Sequence, residues 1–295
     1  MLFLLCCAAG ALAQDMEPRR WTHLPVGTDV VSASYLYTAG DIHIDPVLRI
    51  DDARLEMHTG VAGYSRYFGL GGMTARVDAQ LPVQLGRWKG TLDGVPQTIT
   101  RDGLADPRLR CSLIYSGAPA LEEDAFRDYL RTHETRTTLG AGVALRVPLG
   151  EYMDDKLINL GENRFSVEPQ LGFVHSSGPW SGELTASVFL FTPNDDFFGG
   201  NTLRKDPLAT LQGHIVRVFE EGFWVSAGMA YGRGGATEIN GASAGDIRSN
   251  LLYGVTFGFS LAPAHALRLG YMRRETLNNV GLEAHNVLLV WSMRF

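Results

Sequence analysis

The sequence lacks the features of several common protein classes. Two of its three cysteines, Cys6 and Cys7, lie within the first 13 residues, so a chain without that segment would keep Cys111 alone. A single thiol excludes an intramolecular disulfide framework and a cysteine-based metal cluster. No run of about 18 apolar residues follows residue 13, which excludes a helical membrane protein. The net charge is −6 and no basic stripe is present, which argues against nucleic acid as a partner.

The first 13 residues resemble a signal peptide. They are apolar and end in Ala11-Leu12-Ala13, the small-x-small pattern of a signal-peptidase site. We predict a signal peptide at residues 1–13 and a single domain at residues 14–295. Because a basic stretch before the apolar run is missing, the alternative is a short apolar N-terminus that is not cleaved.

The last nine residues alternate in polarity. Val287, Leu289, Trp291, Met293 and Phe295 are bulky and apolar, whereas the positions between them are mixed, with polar groups at both ends. Transmembrane β-barrels place such rows toward lipid and toward the lumen. We predict that this strand ends an outer-membrane barrel and that Trp291 and Phe295 form the signal read by the barrel-assembly machinery.

Alternation continues along the chain in segments longer than the strands of most soluble sheets. Residues 73–81, 135–147 and 249–261 show it most clearly, and their length is enough for a tilted strand to cross a bilayer. We predict a transmembrane antiparallel barrel of about twelve strands, at residues 27–37, 55–67, 73–81, 104–115, 135–147, 164–175, 180–192, 207–219, 223–231, 249–261, 266–274 and 287–295.

The connections between these strands alternate in length, and outer-membrane barrels have short periplasmic turns and long external loops. Long polar connections are predicted at residues 41–52, 83–103, 150–163, 193–206, 232–246 and 275–283, which places both termini in the periplasm. One periplasmic connection, residues 117–134, is long. Its Phe126, Tyr129 and Leu130 are spaced as on one face of a short helix. Such a helix could plug the lumen, but we favour a position at the rim.

Four groups of motifs, in order along the chain, resemble the phenol-degradation meta-pathway outer-membrane protein family. They are residues 15–19 with 24–27, residues 103–110 with 117–121, residues 148–152 with 156–161 and 163–164, and residues 194–200 with 206–207. The resemblance implies an exported outer-membrane barrel that acts as a transporter. It implies no catalytic residue.

Charged side chains fall on the predicted inner face of several strands. With cross-strand partners they would brace the wall, which is the interpretation we favour because small barrels fill their interior with side chains. Alternatively, they form a constriction that selects solutes. The predicted lumen residues are Arg76, Asp78, Asp106, Arg108, Arg110, Arg136, Arg146, Arg164, Glu168 and Glu183.

Two long loops carry clustered charges and a pair of phenylalanines. We predict that they form an extracellular gate from Asp154, Asp155, Lys156, Asp195, Asp196, Phe197, Phe198 and Arg204. Salt bridges are favoured over calcium because no Asp-x-Asp-x-Asp-Gly spacing is present. The two phenylalanines would gate aromatic solutes or simply pack within the loop. Phe189, Phe191 and Trp224 are predicted to point inward and favour a transporter.

The sequence offers little for catalysis. His175 with Ser176, His214 and His285 are the candidates, but no Gly-x-Ser-x-Gly elbow and no metal-binding histidine pair is present. We therefore predict a non-enzymatic channel for small solutes, such as aromatic or hydrophobic compounds, in the bacterial outer membrane. It would have no cofactor and no metal, and would contact lipid and solute. The alternative is a closed structural or adhesin-type barrel.

Overall fold

The structure is a computed structural model that describes residues 16–43, 50–92, 94–219 and 222–295. The predicted signal peptide lies outside these residues, as do positions 44–49 of the loop predicted at 41–52. The described strands and helix are β1 (Asp29–His43), β2 (Ile50–Leu70), β3 (Met73–Leu92), β4 (Val95–Leu104), β5 (Arg108–Pro119), α1 (Glu123–Thr132), β6 (Thr135–Arg146), β7 (Ser166–Ser177), β8 (Trp180–Phe191), β9 (Asn194–Phe197), β10 (Asn201–Lys205), β11 (Leu208–Val218), β12 (Trp224–Gly234), β13 (Thr237–Ile239), β14 (Ala242–Ser243), β15 (Arg248–Ala262), β16 (His265–Thr276) and β17 (Gly281–Arg294).

Twelve of these strands form a closed antiparallel barrel, as predicted. The ring runs β1, β2, β3, β5, β6, β7, β8, β11, β12, β15, β16, β17 and back to β1. The first and last strands close it, with Val30 opposite Arg294 and His43 opposite Gly281. The backbone of Phe295 adds two hydrogen bonds of 2.9 Å with Asp29. Among the described residues no helix is long and apolar enough to cross a membrane.

Burial alternates along the strands in the register that the sequence predicts. On β17, Val287, Leu289 and Trp291 are exposed on the outside, whereas Asn286 and Val290 are buried inside. On β8 the buried residues are Glu183, Thr185, Ser187 and Phe189, and the exposed ones between them include Leu184, Val188 and Leu190. An apolar exterior around a largely polar interior is the pattern of a barrel in lipid.

The connection predicted as a loop at residues 83–103 is instead a β-hairpin. β3 pairs with β5 as far as Gln80 opposite Arg108, and then with β4 from Val83 opposite Leu104 to Leu92 opposite Val95. The loop prediction was wrong because Arg87 and Lys89 make the exposed face polar, although Gln84 and Trp88 on the other face are buried as in a strand. The barrel wall therefore continues outward beyond β5.

Two other predicted loops, at residues 193–206 and 232–246, also contain strands. β9, β10, β13 and β14 form a small four-stranded sheet, named here the mouth sheet, at the external end of the barrel. Phe197, Leu203 and Ile239 are buried together beneath it, with Leu157 and Phe198 packed against them. Apolar side chains that meet only in the folded state stabilise this sheet.

The predicted amphipathic helix is α1, at the periplasmic end. Phe126 is its buried residue, and its ring contacts the ring of His23 edge to face, with 4.8 Å between ring centroids. Tyr129 also contacts His23, with 5.8 Å between centroids. Since most of α1 is exposed, the structure favours the rim position over a plug.

Candidate functional site

The lumen contains a piece of the chain that the strand pattern did not predict. The N-terminal segment, residues 16–26, lies inside the barrel before the chain turns at Gly27 into β1. Met16, at its inner end, is buried against Ala230, Leu252 and Met272. At the periplasmic end of the segment, the Val26 amide donates a hydrogen bond of 2.9 Å to the Leu121 carbonyl, next to α1. The segment therefore runs from the middle of the lumen to the periplasmic rim.

Trp21 anchors this segment to the barrel wall. It is only 4% exposed, and its indole Nε1 donates a hydrogen bond of 2.9 Å to the hydroxyl of Thr185 on β8. The ring lies over Gly140 and Gly172, where a methyl group would overlap it. These two glycines face each other on β6 and β7. They leave the space that the indole occupies.

Charged groups also hold the N-terminal segment. The Glu17 carboxylate lies 3.3 Å from Arg20 Nε and 3.4 Å from Arg110 Nη1 on β5. The Arg19 amide donates to Glu183 Oε2 on β8 at 2.7 Å. The Arg19 guanidinium lies 5.3 Å from the ring centroid of Trp224. Noncovalent contacts thus hold the segment to several strands of the wall, among them β5, β8 and β12.

Five of the ten predicted lumen charges pair with one another. Arg76 and Arg110 both contact Asp78, Arg110 through its Nε at 2.9 Å. Arg108 Nη2 lies 2.7 Å from Glu168, joining β5 to β7. These contacts match the bracing interpretation, because buried charges with partners avoid the cost of an isolated ion. The selective-constriction interpretation stays a prediction.

Four other predicted lumen residues serve local structure or lie near the ends. Asp106 accepts hydrogen bonds from the amides of Gly150 at 2.9 Å and Glu162 at 2.8 Å, which fixes the 147–165 connection between β6 and β7. Arg136 donates to the His133 carbonyl at 3.3 Å near the periplasmic rim. Arg164 pairs with Glu162 at 2.7 Å near the external mouth, where Arg146 also lies.

A partly apolar part of the lumen borders the charge network. A cavity of about 220 Å³ lies beside the N-terminal segment, and its apolar lining includes Met16, Leu36, Leu252, Met272, Leu288 and Val290. Arg108 and Arg268 border the same cavity. The lumen therefore offers an apolar wall with cationic groups at its edge, a combination suited to small, mainly apolar solutes.

The predicted extracellular gate residues are spread over the mouth rather than gathered in one cluster. Phe197 is buried under the mouth sheet with Phe198 packed beside it, so this pair stabilises the sheet. The charged members, Asp154, Asp155, Asp195, Asp196 and Arg204, are exposed, and Lys156 is half-buried. Lys156 Nζ contacts Asp155 at 2.5 Å. The described residues contain no group of three or more His, Cys, Asp or Glu side chains that could hold a metal ion.

A compact group of cationic side chains lies beneath the mouth sheet. This cationic site consists of Lys205, Arg164, Arg248, Arg146 and Glu162 around the ring of Phe191. Lys205 Nζ lies 4.3 Å and the Arg164 guanidinium 5.2 Å from the ring centroid of Phe191. Phe189, Phe191 and Trp224 all face inward, as predicted.

Burial and neighbouring charges shift the pKa values of Lys205 and Glu162 in the cationic site. Burial, followed by the positive charge of Arg248, lowers the pKa of the Lys205 ammonium to about 7, although Glu162 acts in the opposite direction. Burial alone would raise the pKa of the Glu162 carboxyl, but Arg164, Lys205 and Arg146 together hold it well below its usual value. The site therefore keeps its carboxylate ionised and makes the charge of its lysine sensitive to pH near neutrality.

Two signals for the N-terminal segment were present in the sequence. Between the predicted cleavage site and β1 lies a stretch without strand periodicity that contains an aromatic residue and several charges, at residues 14–28. Gly140 and Gly172 also interrupt the inward rows of two neighbouring strands. Neither signal identifies the other as its partner, because residues 21 and 172 are far apart in sequence.

The fold and the lipid-facing exterior define this protein as a bacterial outer-membrane β-barrel. The family described as "Putative MetA-pathway of phenol degradation" matches residues 31–286. The chain belongs to this family, which confirms the resemblance found in the sequence. A comparison with curated proteins finds no match.

Solved structures support the same architecture. An outer membrane channel from Pseudomonas putida F1 is similar at 21% identity and a TM-score of 0.77, covering 95% of this chain and 100% of that one. The β domain of the Bordetella autotransporter BrkA is similar at 10% identity and a TM-score of 0.51, covering 91% of this chain and 99% of that one. The translocator domain of the autotransporter NalP from Neisseria meningitidis is similar at 10% identity and a TM-score of 0.50, covering 93% of this chain and 90% of that one. These likenesses concern the fold.

Proposed function

We propose that the protein is a passive outer-membrane channel for small, mainly apolar solutes, aromatic compounds among them. The observation that carries this proposal is a lumen cavity of about 220 Å³ whose lining combines apolar side chains with charged groups such as Arg108 and Arg268. The family description, which refers to phenol degradation, and the channel from Pseudomonas putida F1 agree with it. No catalytic step and no cofactor are part of the proposal.

In this proposal the N-terminal segment controls passage. It fills part of the lumen and is held by hydrogen bonds, ion pairs and the packing of Trp21. Noncovalent contacts of this kind can break and re-form, so the segment can leave the lumen while the wall stays intact. The charges near the segment, Arg76, Asp78, Arg110 and Glu183, would then border the open path and select solutes.

The external mouth supplies a second control point. The exposed charges at Asp154, Asp155, Asp195, Asp196 and Arg204 would influence which solutes approach. Trp291 and Phe295 would act earlier, as the signal that the barrel-assembly machinery reads on the last strand. The outward side chains of β17 and the exposed ring of Phe295 support that role.

A closed structural barrel is the second candidate, and the N-terminal segment inside the lumen is the observation that favours it. Planar-bilayer recordings of the refolded protein discriminate between the two, with a variant lacking residues 16–22 as a test of the segment. A channel predicts stepwise conductance that increases in the deletion variant. A correctly folded barrel that stays silent in both forms would refute the channel and leave the structural role.

A further inference from the structure

The cationic site beneath the mouth sheet contains a buried lysine that the channel mechanism does not use. Lys205 is 7% exposed, and its Nζ has no hydrogen-bond partner among the described residues. Its Nζ lies 4.3 Å from the ring centroid of Phe191. A buried ammonium group is costly unless another group neutralises or hydrogen-bonds it. The position therefore calls for a hydrogen-bond acceptor that the described residues do not provide.

The neighbouring arginine points to the same missing acceptor. Arg164 donates to Glu162 through Nε at 2.9 Å and Nη2 at 2.7 Å, but its Nη1 is buried without a hydrogen-bond partner. Arg146 and Arg248 add positive charge around Lys205, and Glu162 is the acidic group that acts on it. Two buried donors with unused hydrogen-bonding capacity in a positive field are suited to a carboxylate, which accepts several such bonds at once.

The rest of the site is apolar. Phe191 packs with Phe189 and Leu208, so a small apolar cluster adjoins the cationic site where β8 ends and β11 begins. A small cavity borders the same region between Arg164, Arg248 and the underside of the mouth sheet. A ligand that satisfies both halves has a carboxylate at one end and an aromatic or aliphatic body at the other.

We propose that Lys205 and Arg164 form a binding site for small organic carboxylates with an apolar body, such as aromatic acids, at the external mouth of the lumen. The carboxylate accepts hydrogen bonds from Lys205 Nζ and Arg164 Nη1, and its body lies against Phe191 and Phe189. The site deepens the proposed channel function, on which its role in solute uptake rests. Binding itself requires no conduction and is measured separately.

The test is isothermal titration of the refolded protein in detergent at pH 6 with benzoate, and with benzyl alcohol as its uncharged counterpart. We expect benzoate to bind, Lys205→Met to weaken it at least tenfold, and benzyl alcohol to bind at least tenfold more weakly than benzoate. Lys89→Met is the matched control, because it makes the same substitution at an exposed lysine on β3 that has no part in the cationic site or the mouth sheet. It should leave benzoate affinity unchanged.

Folding has to be checked in the main variant, because Lys205→Met removes one charge from a buried group of interacting charges and leaves Glu162 in place. Lys205→Gln provides a second variant, and heat-modifiable mobility checks that both are folded. The proposal is overturned if the natural protein does not bind benzoate, if Lys205→Met binds it equally well, or if benzyl alcohol binds as tightly. A protein that binds benzoate but never conducts would refute the channel and retain the site.

Discussion

The strongest test of the gating proposal is the replacement of Trp21 by alanine. The indole is almost fully buried between Gly140, Gly172 and Thr185, and it donates one hydrogen bond. Truncating a buried tryptophan costs about 3–5 kcal/mol. In this protein the packing energy of Trp21 stabilises the N-terminal segment in its position inside the lumen. It does not stabilise the pairing of the barrel strands. At about 1.4 kcal/mol per tenfold, even the lower figure increases the fraction of molecules with the segment outside the lumen at least a hundredfold.

Limited trypsin digestion measures that fraction, because Arg19 and Arg20 become accessible when the segment leaves. If release is fast relative to cleavage, the rate at which the N-terminal peptide appears in mass spectra follows the released fraction. We expect about a hundredfold faster cleavage in Trp21→Ala, with higher conductance in bilayers. Trp180→Ala is the control, since Trp180 is exposed on β8. An unchanged cleavage rate would refute the anchoring role, and faster cleavage without increased conductance would refute the segment as a barrier.

Three further predictions follow from other parts of the structure. Gly172→Val should displace the indole of Trp21 and increase trypsin cleavage at the segment, whereas Gly182→Val, on an open outer position, should not. Deleting Phe295 should reduce assembled barrel in the outer membrane, and normal yield with heat-modifiable mobility would contradict the assembly signal. Because the pKa of Lys205 is lowered to about 7, its ammonium is charged below and neutral above that pH. Benzoate affinity should therefore fall about thirtyfold between pH 6 and 8.5 in titrations, and Lys205→Met should abolish that dependence.

The barrel could be predicted from the sequence because alternation is a local property. The alternation of apolar and polar residues within one strand indicates which of its faces contacts lipid. In β17 this alternation is visible without comparison with any other segment. The burial of Glu168 and Glu183 follows the same alternation. Which of these residues pair was not predictable, since the partner of Arg108 lies 60 positions away on β7.

The hairpin of β3 and β4 and the mouth sheet were missed because their strands look like loops in sequence. The exposed face of the hairpin includes the charged residues Arg87 and Lys89, which interrupt the apolar row typical of a lipid-facing strand. The strands of the mouth sheet are only two to five residues long, too short for a periodic signal. Phe197 and Phe198 were predicted either to gate aromatic solutes or to pack within the loop. In the structure they pack against Leu203 and Ile239, a contact that the sequence does not reveal.

The N-terminal segment was beyond sequence reasoning for a different physical reason. It has no regular secondary structure, so it shows neither of the two periods from which elements are predicted. Its contacts with Glu183 and Thr185 join residues 164 positions apart. Trp21 is recognisable as an anchor only when Gly140 and Gly172 are seen beneath it.

The same charges that brace the wall also hold the N-terminal segment, so bracing and control of passage are linked. Arg110 contacts Asp78 on the neighbouring strand and Glu17 on the segment. When the segment leaves, Arg110 loses Glu17 but keeps Asp78, and Arg108 keeps Glu168. The wall therefore retains its cross-strand pairs, and the barrel does not have to rearrange to open. In the proposed open state Glu183 would lose the Arg19 amide and expose its carboxylate to the lumen. The released path would then be bordered by this carboxylate and by the retained ion pairs of β3, β5 and β7.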